Sequence, residues 1–259
     1  MAKKKNYKYI YGPVPSWRLG VSLGIDPLSC RDKICIFDCV YCQLGKTIEF
    51  TNERKIYVPA DRIIKEIKSL PPIKIDYITF SGRGEPTLAK NLGFLIEEIK
   101  KIRKEKIAVI TNSSLLNKKD VRRDLMPADF VIAKLDACSQ ESFNKVNRSM
   151  RGLDFYDVLN GLKKFRKEYK GKFAVQSMFI NENQGSASDL AVLVKEINPV
   201  EIQINTPLRP CGAKPLPKNE LLKVRKYFKG VPIIFVYNIE KKQIKPISSE
   251  NTLKRRGKV

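Results

Sequence analysis

Three thiols fall within the stretch "CIFDCVYC": Cys35, Cys39 and Cys42, spaced C-x3-C-x2-C, with Tyr41 directly before the last. The chain contains no histidine. A structural zinc ion needs four ligands in a closed tetrahedron, commonly as two separated C-x2-C pairs, and Cys30 is a candidate fourth ligand for that reading. Three thiolates packed this closely suit one face of a cubane iron-sulfur cluster, whose ligands must approach from one side. Such a cluster keeps one iron open, and an open iron can bind and reduce a ligand.

Other residues with chemical reach recur behind apolar runs. "TFSGRGEPTL" carries Gly82, Gly84, Glu85 and Pro86; two glycines let backbone approach a ligand closely, and a carboxylate or carbonyl pairs with a cation. "VITNSS" ends in Thr111, Asn112 and Ser113, and "AKLDA" in Lys134 and Asp136; Gln176 and Asn205 follow the same pattern. Cys30, Cys138 and Cys211 each follow a candidate strand. They are expected either as small packed residues or as an auxiliary cluster or reactive thiol sharing the cavity. No G-x4-G-K-[ST] phosphate loop occurs, which argues against nucleotide hydrolysis.

The elements that must position these groups read as alternating βα units. Strands are expected from Val21, Asp76, Ile107, Phe130, Phe173, Glu201 and Pro232, each short and rich in Val, Ile or Phe. Amphipathic helices are expected from Pro59, Leu92, Ser139, Phe155, Ser188 and Asn219, with Pro59, Asp61, Ser139 and Ser142 as start signals. About six βα units suit an α/β fold built as an incomplete TIM-like barrel, with a doubly wound open sheet as the alternative. In either, function gathers at the carboxyl ends of the strands. The expected division is one barrel domain over residues 1–240 and a basic tail over 241–259, both basic termini reading as solvated or frayed.

Fifty Lys and Arg against twenty-seven Asp and Glu give a net charge of +23, enough to grip a polyanion through its phosphates; a Lys-rich composition of thermophile type is the competing explanation. No run approaches the roughly 20 apolar residues of a membrane helix, and no apolar core follows the basic start, so a cytoplasmic location is expected. "YGPVPSWRLG" is stiff by composition.

Cys35, Cys39, Tyr41 and Cys42 resemble, residue by residue, the C-x3-C-x-aromatic-C signature of the radical S-adenosylmethionine enzymes. The resemblance implies that the three cysteines bind a [4Fe-4S] cluster whose open iron chelates S-adenosylmethionine. It further implies that the cluster, once reduced by an external electron donor, cleaves this cofactor to a 5′-deoxyadenosyl radical that abstracts hydrogen from substrate. It sets Tyr41 beside the adenine, Gly82, Gly84, Glu85 and Pro86 at the cofactor's ammonium, and Asn112, Asp136, Gln176 and Asn205 near its remaining polar groups or the substrate. In the same reading residues 13–20 close part of the barrel, and Arg18 meets either an anionic group or a nearby acid.

From about Tyr9 to about Phe228 the chain is similar to the subgroup that includes the tRNA wyosine synthases. Many members of that subgroup have no assigned substrate, so the resemblance implies the chemistry more firmly than the target. The first candidate is tRNA, the same chemistry on a protein, peptide or metabolite the alternative, and a non-catalytic iron-sulfur or zinc protein the remote one. Trp17, Arg83, Ser149, Met150 and Cys211 depart from that pattern, and the cysteines that hold a second cluster ahead of the signature have no counterpart before Cys30.

Overall fold

Runs rich in Val, Ile and Phe become strands because a parallel sheet is covered on both faces, and branched side chains pack well on a pleated surface. The structure, a computed structural model describing residues 7–238 and 244–256, opens with an antiparallel hairpin of β1 (Ile10–Ser16) and β2 (Gly20–Ile25). A separate parallel pair follows, β3 (Ile34–Cys35) with β4 (Glu49–Phe50). Then come α1 (Ala60–Lys68), β5 (Tyr77–Phe80), α2 (Leu92–Ile102), β6 (Lys106–Thr111), α3 (Lys119–Leu125) and β7 (Phe130–Lys134). The second half comprises α4 (Gln140–Val146), α5 (Phe155–Glu168), β8 (Lys172–Met178), α6 (Ala187–Ile197), β9 (Glu201–Asn205), α7 (Lys218–Arg225), β10 (Ile233–Phe235) and α8 (Ser249–Arg256).

The main sheet runs β1-β2-β5-β6-β7-β8-β9-β10, and every pairing from β2 onward is parallel. This is a curled half-barrel, the incomplete TIM-like architecture expected. Local chemistry sets its helices as the sequence suggests. Ser139 accepts a hydrogen bond from the Ser142 amide and Ser142 answers the Ser139 amide, a closed capping box that starts α4, while the Asp154 side chain accepts from the amides of Tyr156 and Asp157 to start α5. Ile63, Ile67, Leu95, Ile99, Leu162 and Phe165 turn inward from α1, α2 and α5 onto the sheet.

Three features depart from expectation. β1 contains Pro13 and Pro15, which an edge strand tolerates because no neighbour needs their missing donors; Gly12 takes φ +92 beside a break in register between Tyr11 and Val14. α3 is seven residues long, too short to announce itself by periodicity. Within the segment read as a solvated tail, residues 249–256 form α8 against β1, where the Gly12 amide donates to Thr252 Oγ1 at 3.1 Å. Arg255 Nε reaches Asp26 Oδ2 at 3.1 Å with both side chains buried. That docking is polar, so no apolar stripe betrays it. The rest of the two basic termini, residues 1–6 and 257–259, lies outside the described residues, as do residues 239–243.

Among the described residues no helix is long and apolar enough to cross a membrane. Arg255→Met should lower the unfolding free energy by about 3–5 kcal/mol, because it leaves the Asp26 carboxylate buried without its cation. Denaturant unfolding checks this, and an unchanged midpoint would mean that α8 contributes nothing to the fold.

Candidate active site

A cavity of about 820 Å³ opens at the carboxyl ends of the parallel strands, bordered by Gly82 after β5, Asn112 after β6, Lys134 on β7, Met178 on β8 and Asn205 on β9. Cys35 leaves β3 facing it, and Cys39 and Cys42 follow on the loop beyond. The three expected thiols thus share one wall. Of the twelve residues expected at the site, ten line the cavity; Pro86 and Asp136 do not.

Asp136 stands behind the wall. Its Oδ2 accepts from the Tyr41 hydroxyl and from Asn147 Nδ2 at 3.0 Å, and its Oδ1 accepts from the Met178 amide at 2.7 Å. Burial and then the Asp136 charge hold the Tyr41 phenol well above its ordinary range, so Tyr41 keeps its proton as a donor. Lys134 Nζ lies 3.5 Å from Asp136 Oδ1 and 4.5 Å from the Tyr41 ring centre. Asn147 also directs its amide at Cys39 Sγ, 3.5 Å away. Pro86, buried, begins the 3-10 turn Pro86–Leu88 and fixes the backbone behind Glu85.

The glycines of "SGRGEP" act by what they omit. Gly84, at φ +142, would put a Cβ 1.9 Å from the Ile34 carbonyl, and Gly82, at φ +151, would drive one into Asp26. Only glycine lets this turn pass beside β3. Glu85 faces the cavity fully hydrogen-bonded: Thr87 Oγ1 and Thr111 Oγ1 each donate at 2.7 Å, the Thr87 amide at 3.0 Å and the Asn112 amide at 2.6 Å. Burial raises its pKa against the opposing pull of those donors. Asn112 in turn points Nδ2 at Cys35 Sγ from 3.5 Å. Gln176 Nε2 lies 3.5 Å from Gln203 Oε1, and Asn205 Oδ1 accepts from the Thr206 amide at 2.9 Å.

Sequence reasoning missed Lys33 and Asn147. Lys33 is buried, with Nζ 3.0 Å from the Gly45 carbonyl and 3.7 Å from Asp38. Burial pulls its pKa down, but the sulfurs of Cys42, Cys35 and Cys39 outweigh that and leave it raised. Lysine two residues before the first cysteine was the only available signal. Burial pushes Cys35 up to about 12 and Cys39 up to about 11, the latter with help from Asp136. Both are therefore protonated thiols at neutral pH.

Cys30, Cys138 and Cys211 do follow strands, yet none lines the cavity. Their sulfurs meet the Leu28 carbonyl at 3.2 Å, Ser142 Oγ at 3.9 Å and the Ala213 carbonyl at 3.2 Å respectively. Among the described residues no group of three or more Cys, Asp or Glu side chains is gathered around a metal position, neither at Cys30, Cys138 and Cys211 nor at Cys35, Cys39 and Cys42, which share a cavity wall without closing on one point. Three thiols on one wall, two of them facing amide donors and all beside one lysine, fit an open-sided cluster. The glycine turn keeps backbone, not side chains, next to them.

Residues 33–193 match the family model described as the Radical SAM superfamily. The chain belongs to that superfamily. A UPF0026 protein of Synechocystis sp. is 41% identical over 208 residues, covering 80% of this chain and 77% of the relative. The radical SAM fold is seen also in TYW1 with a lysine-pyruvate adduct bound, at a TM-score of 0.60 and 19% identity over 90% of this chain and 80% of that one. SuiB of Streptococcus suis bound to S-adenosylmethionine gives 0.59 and 16% over 79% and 48%. This radical SAM chain is therefore an enzyme whose cofactors are a [4Fe-4S] cluster and S-adenosylmethionine.

In the cluster-free protein, alkylation of Cys39 should quicken about tenfold per pH unit and continue to do so past pH 9, because its thiolate fraction is still growing there. Mass spectrometry of the modified peptide reads this. A plateau near pH 9, as for an ordinary thiol, would contradict the buried environment described.

Proposed function

We propose that Cys35, Cys39 and Cys42 hold the [4Fe-4S] cluster and that the enzyme takes a hydrogen atom from tRNA. The single observation that supports the ligand assignment is the shared wall of three thiols, open to one cavity and backed by Lys33. When bound, the cluster supplies one-electron cleavage of S-adenosylmethionine to methionine and a 5′-deoxyadenosyl radical, the electron coming from an external donor.

The chain's own residues bind, orient and shield. Lys33 offsets the negative charge of three thiolates, and the side-chain amides of Asn112 and Asn147 donate to the sulfurs of Cys35 and Cys39, a lever on cluster potential. Glu85 ties the glycine turn to Thr111 and Asn112 while presenting its charge to the cofactor's ammonium. Tyr41 is held by Asp136 and Asn147 with its ring on the cavity, ready to flank an adenine. Gln176 and Asn205, farther round the wall, offer polar contacts to ribose or substrate.

The tRNA assignment rests on the net charge of +23 and on the similarity to the wyosine synthase subgroup. A second reading, a small phosphorylated metabolite, is favoured by Arg256 of α8, which lines the cavity.

Anaerobic reconstitution should give about four irons per chain and an electron paramagnetic resonance spectrum altered by S-adenosylmethionine. Each of Cys35→Ala, Cys39→Ala and Cys42→Ala should lose both; one variant retaining cluster and cleavage would sink the ligand assignment. For the substrate, tRNA affinity measured by filter binding should fall by about 1,000-fold or more between 50 and 200 mM salt if six or more phosphates are neutralised. A flat response would turn the assignment to the small molecule.

A further inference from the structure

The cavity wall carries six cationic side chains, Lys33, Lys134, Arg18, Arg209, Arg255 and Arg256, against one carboxylate, Glu85. Three of the six are accounted for. Lys33 lies by Asp38 and the thiols, Lys134 by Asp136, and Arg255 is paired with Asp26. Arg18, Arg209 and Arg256 have no carboxylate within 4.0 Å among the described residues.

They come from three distant parts of the chain and converge. Arg209 Nη1 donates to the backbone carbonyl of Arg256 and to Gln43 Oε1, each at 3.0 Å, and Arg256 Nη2 donates to the Pro15 carbonyl at 3.3 Å. Arg18 stacks its guanidinium 5.1 Å from the Trp17 ring centre and leaves its buried Nε without any hydrogen-bond partner. Burial first, then the charges of Arg209 and Arg256, push the Arg18 pKa down to about 10. Three guanidiniums held together, with most donors unused, disfavour one another unless an anion joins them. The three cysteines already have their own cation beside them in Lys33.

We propose that Arg18, Arg209 and Arg256 form a phosphoryl-binding subsite that anchors a phosphate of the substrate inside the cavity. Planar forks matched to phosphate oxygens are the strongest neutral-pH means of holding such a group. The subsite rests on the radical SAM reading of the same cavity and deepens it by naming the substrate's chemical class. The phosphate comes either from an RNA phosphodiester or from a terminal phosphate of a small molecule; one subsite serves both.

The test is isothermal calorimetry of inorganic pyrophosphate on the anaerobically reconstituted protein at fixed ionic strength, with and without S-adenosylmethionine. Saturable one-to-one binding is expected, weakened about tenfold or more in each of Arg18→Met, Arg209→Met and Arg256→Met, and unchanged in Arg123→Met, at an exposed position of α3 outside the cavity. Circular dichroism checks folding, and Arg→Lys at the same positions, which keeps the charge and loses the fork, should give intermediate losses. Displacement of pyrophosphate by a short RNA but not by a mononucleotide identifies the diester source, the converse the small molecule, and either supports the subsite. No saturable binding, equal binding by the trio variants, or mutual exclusion with S-adenosylmethionine overturns it. If pyrophosphate fails while the cofactor still alters the cluster spectrum, only the subsite falls; if the spectrum is also indifferent, the parent reading falls with it.

Discussion

One buried carboxylate fixes the geometry of the cysteine loop. Asp136 sits past the end of β7, takes the Tyr41 hydroxyl and the Asn147 amide on one oxygen, and takes the Met178 amide of β8 on the other. Backbone bonds from Asp38 to Asn147 and from Val40 to Val146 run alongside. Over residues 36–42 the loop is tied to the end of α4 and the segment after it by these bonds and by a single antiparallel bridge from Phe37 to Ser149, so its shape is borrowed from the barrel through this junction. Because each donor to Asp136 lies on a different element, the cysteine loop, the aromatic ring and two strand ends are tied to one carboxylate. A charge buried this completely is tolerable only when every lone pair is matched, which makes the junction specific as well as stable.

Glu85 performs the parallel task one strand pair away. It joins the glycine turn after β5 to the end of β6, and Asn112, ordered by that contact, faces Cys35. The two carboxylates therefore bracket the cysteine wall from opposite sides, with Asn112 and Asn147 as matched intermediaries. The cluster proposed on these cysteines would gain from such anchoring, since amide-to-sulfur distances set part of a cluster's potential.

Much of this was legible from residue patterns. The seven expected strands all occur, because a doubly covered parallel sheet demands short apolar runs that stand out from their surroundings. The cysteine spacing and the paired glycines needed no fold to be noticed. What escaped notice did so for physical reasons. β1 carries prolines that argue against a strand unless it is known to be an edge; α8 docks through Thr252 and Arg255 rather than through apolar residues; Lys33 and Asn147 look like ordinary polar residues until burial brings them to sulfur. Asp136, expected near the cofactor or the substrate, lies behind the cavity wall and orients Tyr41, which lines it. Arg18 was legible as a candidate, but its companions Arg209 and Arg256 could be joined to it only once the hairpin, the loop after β9 and α8 were seen to meet.

The helices add a consequence for how the positive charge of this chain is distributed. In a parallel sheet each connecting helix runs back against its strand, so its final turn lies at the rim opposite the cavity. Those turns hold Lys65 and Lys68 on α1, Lys100 and Lys101 on α2, Arg166 and Lys167 on α5, Lys195 on α6, and Lys223 and Arg225 on α7. Each sits where it offsets the partial negative charge of the last exposed carbonyls. The positive charge is thus divided in two: a far rim whose cations face helix ends, with Lys100, Lys101 and Lys223 paired to acids, and a near rim whose few guanidiniums are enclosed and oriented.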